Sequence, residues 1–293
     1  MNQNGTMRAI RLHSPGGPEA LRAERLDIPR PASGEALVRV HAAAITRDEL
    51  EWPVDRLPAI PSYELSGVVA EPTDGLAAGD EVYALTSFDR DGVAADYAVV
   101  DAGLLAPKPR SLGHAEAAAL PLAGLSAWQG LFDHGRLAEG ERVLVHGAAG
   151  GVGHLAVQLA RERGAHVIAT CSGASVEHVR ALGAHEVIEH PAERFEDAGE
   201  VDLVFDTAGG DRLARSPAVL SPGGRLVTVA HEAPGAVYFI VEPRREQLVE
   251  LARLADEGAL RPLIDEVFPL DDAPRAFERS LGREGRGKVV LAP

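Results

Sequence analysis

The segment Glu141–Thr170, ERVLVHGAAGGVGHLAVQLARERGAHVIAT, decides the fold of this chain. It begins with the apolar run Val143–Val145, which is typical of a strand buried on both faces. Glycines follow from Gly147 to Gly153, then a helical pattern with apolar residues on one face, and the segment ends in the run His166–Thr170. Strand, glycine turn, helix and strand in this order predict a βαβ unit of the length that dinucleotide-binding folds use.

The glycine turn predicts a binding site for the pyrophosphate of a dinucleotide. A helix N-terminus presents free backbone N–H groups to an anion, and a Cβ at the turn would block the approach. Gly150 and Gly151 remove that obstruction, and Gly153 lets the helix pack close to the strand, although Ala148 stands where the G-x-G-x-x-G pattern has its first glycine. A plain turn is the less favoured alternative. The predicted cofactor-binding residues of the turn are Ala149, Gly150, Gly151 and Val152.

The end of the second strand indicates which dinucleotide binds. NAD-preferring sites use Asp or Glu there to hold the ribose hydroxyls, whereas this chain reads Thr170-Cys-Ser-Gly-Ala-Ser175. Small hydroxyl residues can donate to the 2′-phosphate of NADPH, which a carboxylate would repel. The pattern therefore favours NADPH, with Thr170, Ser172 and Gly173 in the site. The other interpretation is that Ser172 or Ser175 caps the next helix, and both roles are compatible.

Composition and charge limit the class of protein. With 293 residues the chain is long enough for one large domain or two ordinary ones. A formal net charge of −15 opposes binding to nucleic acid or to an anionic membrane surface. The single cysteine, Cys171, excludes a disulfide within the chain and is typical of a reducing cytoplasm. No apolar segment reaches the ~20 residues of a membrane span, so we expect a cytoplasmic protein.

Two patterns of secondary structure flank the glycine turn. Before it, many short strands separated by turns predict a small β barrel or sandwich. These strands are Met7–Leu12, Leu21–Leu26, Glu35–Ala43, Gly67–Glu71, Glu81–Leu85 and Ala95–Val100. After it, strands alternate with helices, which predicts a doubly wound parallel sheet and an α/β fold class. The strands of this second region are Glu186–Ile188, Val201–Asp206, Arg225–Ala230 and Val237–Val241, and a helix covers Arg244–Glu257.

Four motifs resemble the medium-chain dehydrogenase/reductase superfamily, specifically its zinc-free quinone oxidoreductase branch. They are Gly147–Gly153 (GAAGGVG), Leu120–Gln129 (LPLAGLSAWQ), Phe205–Gly209 (FDTAG) and Gly287–Leu291 (GKVVL). The resemblance covers nearly the whole chain. It implies a GroES-like β-barrel catalytic domain, 7–120 completed by 262–293, and a Rossmann NADPH-binding domain, 121–261.

The resemblance also implies the activity. Zinc-dependent relatives carry G-H-E-x-x-G, where this chain reads Ser62-Tyr-Glu-Leu-Ser-Gly67, with Tyr63 in the histidine position. One cysteine cannot form a cysteine-rich zinc site, so metal-free chemistry is expected. The simplest such chemistry is hydride transfer from NADPH to a quinone or an α,β-unsaturated carbonyl. Two alternatives stay open: an NADPH-binding protein with little turnover, and an enoyl reductase of a polyketide-type pathway.

Family positions assign roles to individual residues. Tyr63 is the expected hydrogen-bond donor to the substrate, or else a packed tyrosine. Thr46, where relatives usually carry Asn, is the second expected catalytic residue. Ser126 keeps a hydroxyl near the nicotinamide ribose, or is a helix serine bonded to the backbone. The remaining cofactor contacts that the resemblance and the strand ends imply are His190, Ala208, Val229, Ala230, Phe239, Ile240 and Lys288.

The run Val237–Val241 predicts the last strand of the sheet and a route to assembly. It is strongly β-prone, and an exposed apolar edge is a liability unless another strand pairs with it. Relatives often dimerise by pairing this strand across a twofold axis. A homodimer through 237–241 is therefore expected.

Overall fold

The computed structural model describes residues 5–52, 55–73, 75–282 and 285–293. These residues divide into two compact units. Unit 1 comprises the described residues of Met1–Leu122, Pro243–Glu257 and Pro262–Pro293, and unit 2 comprises Ala123–Glu242 and Gly258–Arg261. The domain boundaries derived from the sequence, which place 243–257 in the second domain, stay a prediction.

The strands, β1 to β15 in chain order, are Thr6–Leu12, Leu21–Asp27, Glu35–Ile45, Glu64–Val69, Glu81–Leu85, Tyr97–Asp101, Ala106–Pro107, Arg142–His146, His166–Cys171, Glu186–Glu189, Val201–Asp206, Leu220–Thr228, Val237–Tyr238, Ile264–Pro269 and Lys288–Ala292. The α-helices, α1 to α7, are His114–Ala118, Pro121–Trp128, Gly153–Glu162, Val176–Ala181, Gly210–Arg215, Arg245–Asp256 and Ala273–Leu281. None of the helices in the described parts is long and apolar enough to cross a membrane.

Unit 1 is built mainly on antiparallel pairing, although β14 and β15 pair in parallel. Its larger sheet has the order β14-β15-β3-β4-β5-β7, with β6 paired to the other end of β3, and β1 pairs with β2 in a separate ribbon. The long strand β3 holds this unit together because it pairs with β4, β6 and β15. The larger apolar core of the unit includes Ile10, Leu65 and Phe277. Each such fully buried side chain stabilises the fold by about 1.5–3 kcal/mol.

Unit 2 is a parallel sheet of six strands in the order β10-β9-β8-β11-β12-β13. Numbered from its own first strand, this is the order 3-2-1-4-5-6 of dinucleotide-binding folds. The strands β8 and β11 are buried on both faces, as their continuous apolar runs predict. The predicted fold class, a β-barrel-like unit plus a Rossmann-type parallel sheet, is therefore confirmed.

The parallel register aligns the carboxyl ends of four neighbouring strands in unit 2. His146 lies opposite Thr170 on β9 and opposite Asp206 on β11, and Asp206 lies opposite Thr228 on β12. Ligands of open α/β sheets bind at this edge, at the point where the strand order reverses. The glycine turn follows His146 directly and so begins at that point.

Local details differ from the sequence-based expectations at several places. The predicted strand Val237–Val241 is wrong in length, because regular pairing covers only Val237–Tyr238. Phe239 then turns inward, and its ring packs 4.4 Å from that of His134. The segment 46–52, between two of the predicted strands, contains a single 3₁₀ turn, Glu49–Glu51. The short strand β7 was not expected from the sequence.

Candidate functional site

The glycine turn of unit 2 has the geometry that an anion requires. Gly147 has a φ of +75°, a conformation that glycine adopts at no steric cost. The Ala148 N–H donates to the Thr170 carbonyl (3.0 Å), and the Gly150 N–H donates to the Gly147 carbonyl (2.9 Å). These bonds hold the turn, which joins β8 to α3, against the end of β9. The helix α3 then begins at Gly153.

The start of α3 leaves backbone donors free. Within the described residues, the N–H groups of Gly151 and Val152 donate to no other group of the chain, and Val152 has no side-chain cap. The predicted residues 149–152 are all half-exposed. Open N–H groups, a helix dipole and the absence of obstructing Cβ atoms fit a pyrophosphate, so the residues present match the dinucleotide that the fold implies.

A polar network supports this edge of the sheet. The buried His146 ring contacts Thr170 Oγ1 (3.0 Å) through Nδ1 and Ser216 Oγ (3.1 Å) through Nε2. Burial is the main cause that lowers the pKa of His146 to about 3, so the imidazole is neutral. Thr170, a predicted cofactor residue, is itself buried. The structure therefore gives its hydroxyl a role in joining strand ends.

Asp206 organises the adjacent turn. Its fully buried carboxylate accepts hydrogen bonds from the N–H of Gly209 (2.9 Å) and from the hydroxyl of Thr228 (3.0 Å). The Ala208 N–H also points to it, and the Ala230 N–H donates to Thr228 Oγ1 (3.1 Å). Three predicted residues, Ala208, Val229 and Ala230, are thus held together at the ends of β11 and β12 and remain at least half-exposed.

The predicted nicotinamide-end residues of unit 2 differ in accessibility. Ser126 is buried in α2, and its hydroxyl donates to no backbone carbonyl among the described residues, which does not favour the helix-serine alternative. Phe239 is buried, whereas Ile240 is 68% exposed. The structure thus places Ile240, and not Phe239, on the surface of the unit.

A carboxylate that the sequence analysis missed lies near the end of β9, where the sequence predicts contacts with the adenosine ribose. Ser172 and Gly173 are exposed, and neither Ser172 nor Ser175 makes a side-chain cap bond, which weakens the capping alternative. A Cβ built on Gly173 would lie 2.3 Å from Oε1 of Glu189. Glu189 ends β10, opposite Cys171 in the register, so a strand-pairing argument was the signal that could have found it.

His190 follows Glu189 and is fixed at the same place. Its N–H donates to the Cys171 carbonyl (2.8 Å), and its side chain is half-buried. Burial lowers the pKa of His190, and the positive charges of Arg212 and Arg215 lower it further. The structure therefore brings Ser172, Gly173 and His190 together at one edge, beside the Glu189 carboxylate, and their contact with a cofactor stays a prediction.

Tyr63 lies inside an aromatic cluster of unit 1. Its ring is 5.7 Å from that of Trp52 and 5.3 Å from that of Phe88, and the residue is fully buried. Arg56 Nη2 lies 3.5 Å from the Tyr63 hydroxyl and donates to the Phe88 carbonyl (2.6 Å). Burial raises the pKa of Tyr63 above its ordinary value. This is the packed tyrosine of the second interpretation, so a substrate contact stays a prediction.

The second catalytic candidate, Thr46, belongs to a charged cluster. Lys288 Nζ donates to Thr46 Oγ1 (3.0 Å) and contacts Glu64 Oε1. The side chain of Lys288 is 6% exposed and that of Glu64 is 0% exposed, so this is a buried ion pair. The other oxygen of Glu64 accepts the Leu122 N–H (2.8 Å). Lys288 is therefore held in the interior of unit 1.

Glu49 completes this cluster. Its Oε2 accepts the Thr46 N–H (3.0 Å), and the residue is fully buried, with no hydrogen-bond partner for Oε1 among the described residues. Burial is the main cause that raises the pKa of Glu49 to about 8. Across the parts of the chain that the structure describes, no group of three or more His, Cys, Asp or Glu side chains could hold a metal ion.

Comparison with known proteins agrees with both units. Residues 32–110 match the alcohol dehydrogenase GroES-like domain, and residues 182–291 match the zinc-binding dehydrogenase family. The chain is 32% identical to a probable mitochondrial zinc-binding oxidoreductase of Arthroderma benhamiae, over 98% of this chain and 96% of that protein. It is 30% identical to the quinone oxidoreductase of Rattus norvegicus, over 97% of each.

A solved structure extends the likeness to three dimensions. The quinone oxidoreductase from Coxiella burnetii superposes with a TM-score of 0.92 at 30% identity, covering 99% of this chain and 100% of that one. Identity at this level over whole chains shows common ancestry as well as a common fold.

Proposed function

The chain belongs to the quinone oxidoreductase-like branch of the medium-chain dehydrogenase/reductase superfamily, and we propose that it is an NADPH-dependent, zinc-independent enzyme that transfers hydride to a quinone or an α,β-unsaturated carbonyl. Membership of this family makes it an oxidoreductase that acts with a nicotinamide cofactor on a small molecule. The observation that carries the proposal is the open helix start at Gly151 and Val152, beside aligned strand ends.

Each unit contributes its own residues to this activity. The N–H groups at 151–152 hold the pyrophosphate, and Ser172, Gly173 and His190 hold the adenosine ribose and its 2′-phosphate. Ala208, Val229, Ala230 and Ile240 contact the rest of the dinucleotide by their positions at the strand ends. The nicotinamide, when bound, would supply the hydride, and the half-exposed Thr46 hydroxyl would donate to the acceptor oxygen that gains charge.

Zinc independence is supported by the chemistry of the side chains at the motif Ser62–Gly67. A phenol replaces the imidazole at Tyr63, and the Glu64 carboxylate already pairs with Lys288. A metal would compete with that ammonium for Glu64, and a chain with the single cysteine Cys171 cannot form a cysteine-rich zinc site.

A homodimer and a cytoplasmic location are part of the proposal. The edge strand β13 exposes Val237 (47%) and Tyr238 (38%), and Ile240 continues the apolar edge. A second copy that pairs with this edge would cover it. The chain contains a single cysteine, Cys171, which supports a reducing compartment.

The test measures oxidation of NADPH and of NADH with 1,4-benzoquinone, 9,10-phenanthrenequinone, a simple enone and an enoyl thioester. Turnover of quinone or enone with NADPH, and little with NADH, would support the proposal. Turnover of the thioester alone would indicate an enoyl reductase. NADPH binding without oxidation by any acceptor would contradict the enzyme assignment and favour the inert binding protein.

A further inference from the structure

Reduction of an enone requires a proton as well as a hydride, and we propose that the Lys288 ammonium supplies this proton through the Thr46 hydroxyl. The inference rests on the proposed function and adds the source of the proton. It concerns a cluster of unit 1 formed by Thr46, Glu49, Glu64 and Lys288, which is called the proton-supply cluster below.

Strand pairing brings the cluster together. The strands β15 and β3 are antiparallel, with Val289 opposite Ile45, so the preceding Lys288 faces the following Thr46. On the other side of β3, Ala44 lies opposite Glu64 of β4. Neighbouring backbones thus hold all three side chains. Thr46 is the half-exposed member of the cluster, while the other three are buried.

The hydrogen bonds leave the Thr46 proton available. Lys288 donates to the Thr46 oxygen at 3.0 Å, so the hydroxyl hydrogen of Thr46 must point elsewhere. Within the cluster its only acceptor is Glu64 Oε1, at a long 3.4 Å, and Lys288 already occupies that oxygen. A substrate oxygen on the exposed side of Thr46 would be a better acceptor.

Hydride adds with its electron pair to the β-carbon of the enone, and the electron pair of the C=C bond moves to form an enolate. The Thr46 hydroxyl gives its proton to the enolate, while a proton of the Lys288 ammonium passes to the Thr46 oxygen. Thr46 is restored in the same step, the product is the saturated carbonyl or its enol, and the neutral Lys288 amine takes a proton from solvent water afterwards.

Glu49 keeps the charge of the cluster favourable for this step. Its burial raises its pKa to about 8, so at neutral pH the carboxyl is mainly uncharged. The charged groups near it are then Lys288, Glu64 and the exposed Asp48. With Glu49 neutral, the buried Lys288 ammonium faces one buried carboxylate, that of Glu64, and the two charges of the cluster balance.

A purely structural role is the alternative. Thr46-Arg-Asp-Glu49 matches the S/T-x-x-E capping pattern, and Lys288 with Glu64 would then be an ion pair that fastens β15. Such a role predicts lower stability and an equal loss of turnover with every acceptor. Proton supply instead predicts a loss that depends on the acceptor, because a quinone yields a hydroquinone anion that water can protonate, whereas an enolate needs a placed donor.

The experiment compares enone and 9,10-phenanthrenequinone turnover with NADPH in Thr46→Val, Thr46→Ser and Lys288→Met. Valine has the shape of threonine without the hydroxyl, and serine restores the hydroxyl. Lys108→Met is the matched control, because Lys108 is an equally buried lysine of unit 1 that bonds only the backbone carbonyls of Pro109 and Leu112 and the exposed Glu81. Melting temperature and the solvent deuterium isotope effect are recorded for each variant.

We expect Thr46→Val to lower kcat for the enone about 100-fold and kcat for the quinone only about tenfold. Thr46→Ser should recover most of the lost enone turnover, and Lys108→Met should keep turnover of both acceptors. Should Lys288→Met fail to fold, the comparison of Thr46→Val with Thr46→Ser tests the inference without it. Equal losses with both acceptors in Thr46→Val would overturn the inference, whereas a wild-type protein that oxidises NADPH with no acceptor would overturn the proposed function itself.

Discussion

The backbone of Gly153 lies so close to Gly147 that a Cβ built on Gly153 would be 2.2 Å from the Gly147 carbonyl oxygen. The atoms met by this Cβ belong to the backbone, which cannot move aside as the end of a flexible side chain can. The same Cβ would also lie 2.8 Å from the Cα of Ala148. The first turn of α3 therefore packs directly against the end of β8. This contact sets the position of the free N–H groups of Gly151 and Val152.

Gly153→Ala should destabilise unit 2 and weaken NADPH binding. Forcing a methyl group into packed backbone costs about 1–3 kcal/mol and displaces the helix start. Gly150→Ala is the matched control for stability, because its Cβ meets only the Gly147 carbonyl oxygen at 3.3 Å. Thermal unfolding compares the two variants, and fluorescence titration measures NADPH binding by Gly153→Ala. Equal losses of stability in the two variants would show that the 2.2 Å contact is not the cause.

Glu49→Gln should change how stability depends on pH. The carboxyl has a pKa of about 8 in the folded protein against an ordinary value of about 4.5, so the folded state holds the proton more tightly. The contribution of Glu49 to the free energy of unfolding is therefore present at low pH. It is lost as the pH rises from about 4.5 to about 8, by up to about 1.4 kcal/mol per pH unit. Glutamine keeps the shape and cannot ionise.

The measurement for Glu49 is the free energy of urea unfolding at several pH values between 5 and 8. Wild type should lose stability relative to the variant as the pH rises. Parallel curves for the two proteins would mean that Glu49 is ionised in the fold, and would remove one support of the proton-supply cluster.

Glu189→Gln should raise the preference for NADPH over NADH. The Glu189 carboxylate lies beside Gly173, where it would repel a 2′-phosphate and could accept a ribose hydroxyl. Removing its charge should increase kcat/KM with NADPH several-fold, by about 1 kcal/mol of lost repulsion at this exposed site, and should not help NADH. The ratio of kcat/KM for the two cofactors is the measurement. An unchanged ratio would indicate that Glu189 turns away from the ribose.

Val237→Lys should weaken the proposed dimer. A charge on the edge strand β13 opposes pairing with a second copy. Val249→Lys is the matched control, since Val249 is similarly exposed (42% against 47%) but lies on the helix α6. Light scattering across a concentration series measures the mass. A monomeric wild type, or the same mass for both variants, would contradict dimerisation through this strand.

Residues close together in the chain explain why much of the fold could be predicted. The βαβ unit follows from Val143–Val145, the glycines and the next apolar run, because burial on both faces and freedom from a Cβ are local properties. The end of β13 could not be found in this way. The run Val237–Val241 is β-prone throughout, but packing of Phe239 on His134 ends the pairing.

The sequence by itself therefore determined the βαβ unit, the glycine turn and the family. Only the tertiary structure decided which charges meet. Glu189 reaches Gly173 because β10 pairs with β9, and Lys288 meets Glu64, 224 residues away, because β15 and β4 both pair with β3. Propensity and sterics act between neighbours in the chain, whereas register fixes contacts between distant strands, and burial then sets the charge that each group carries.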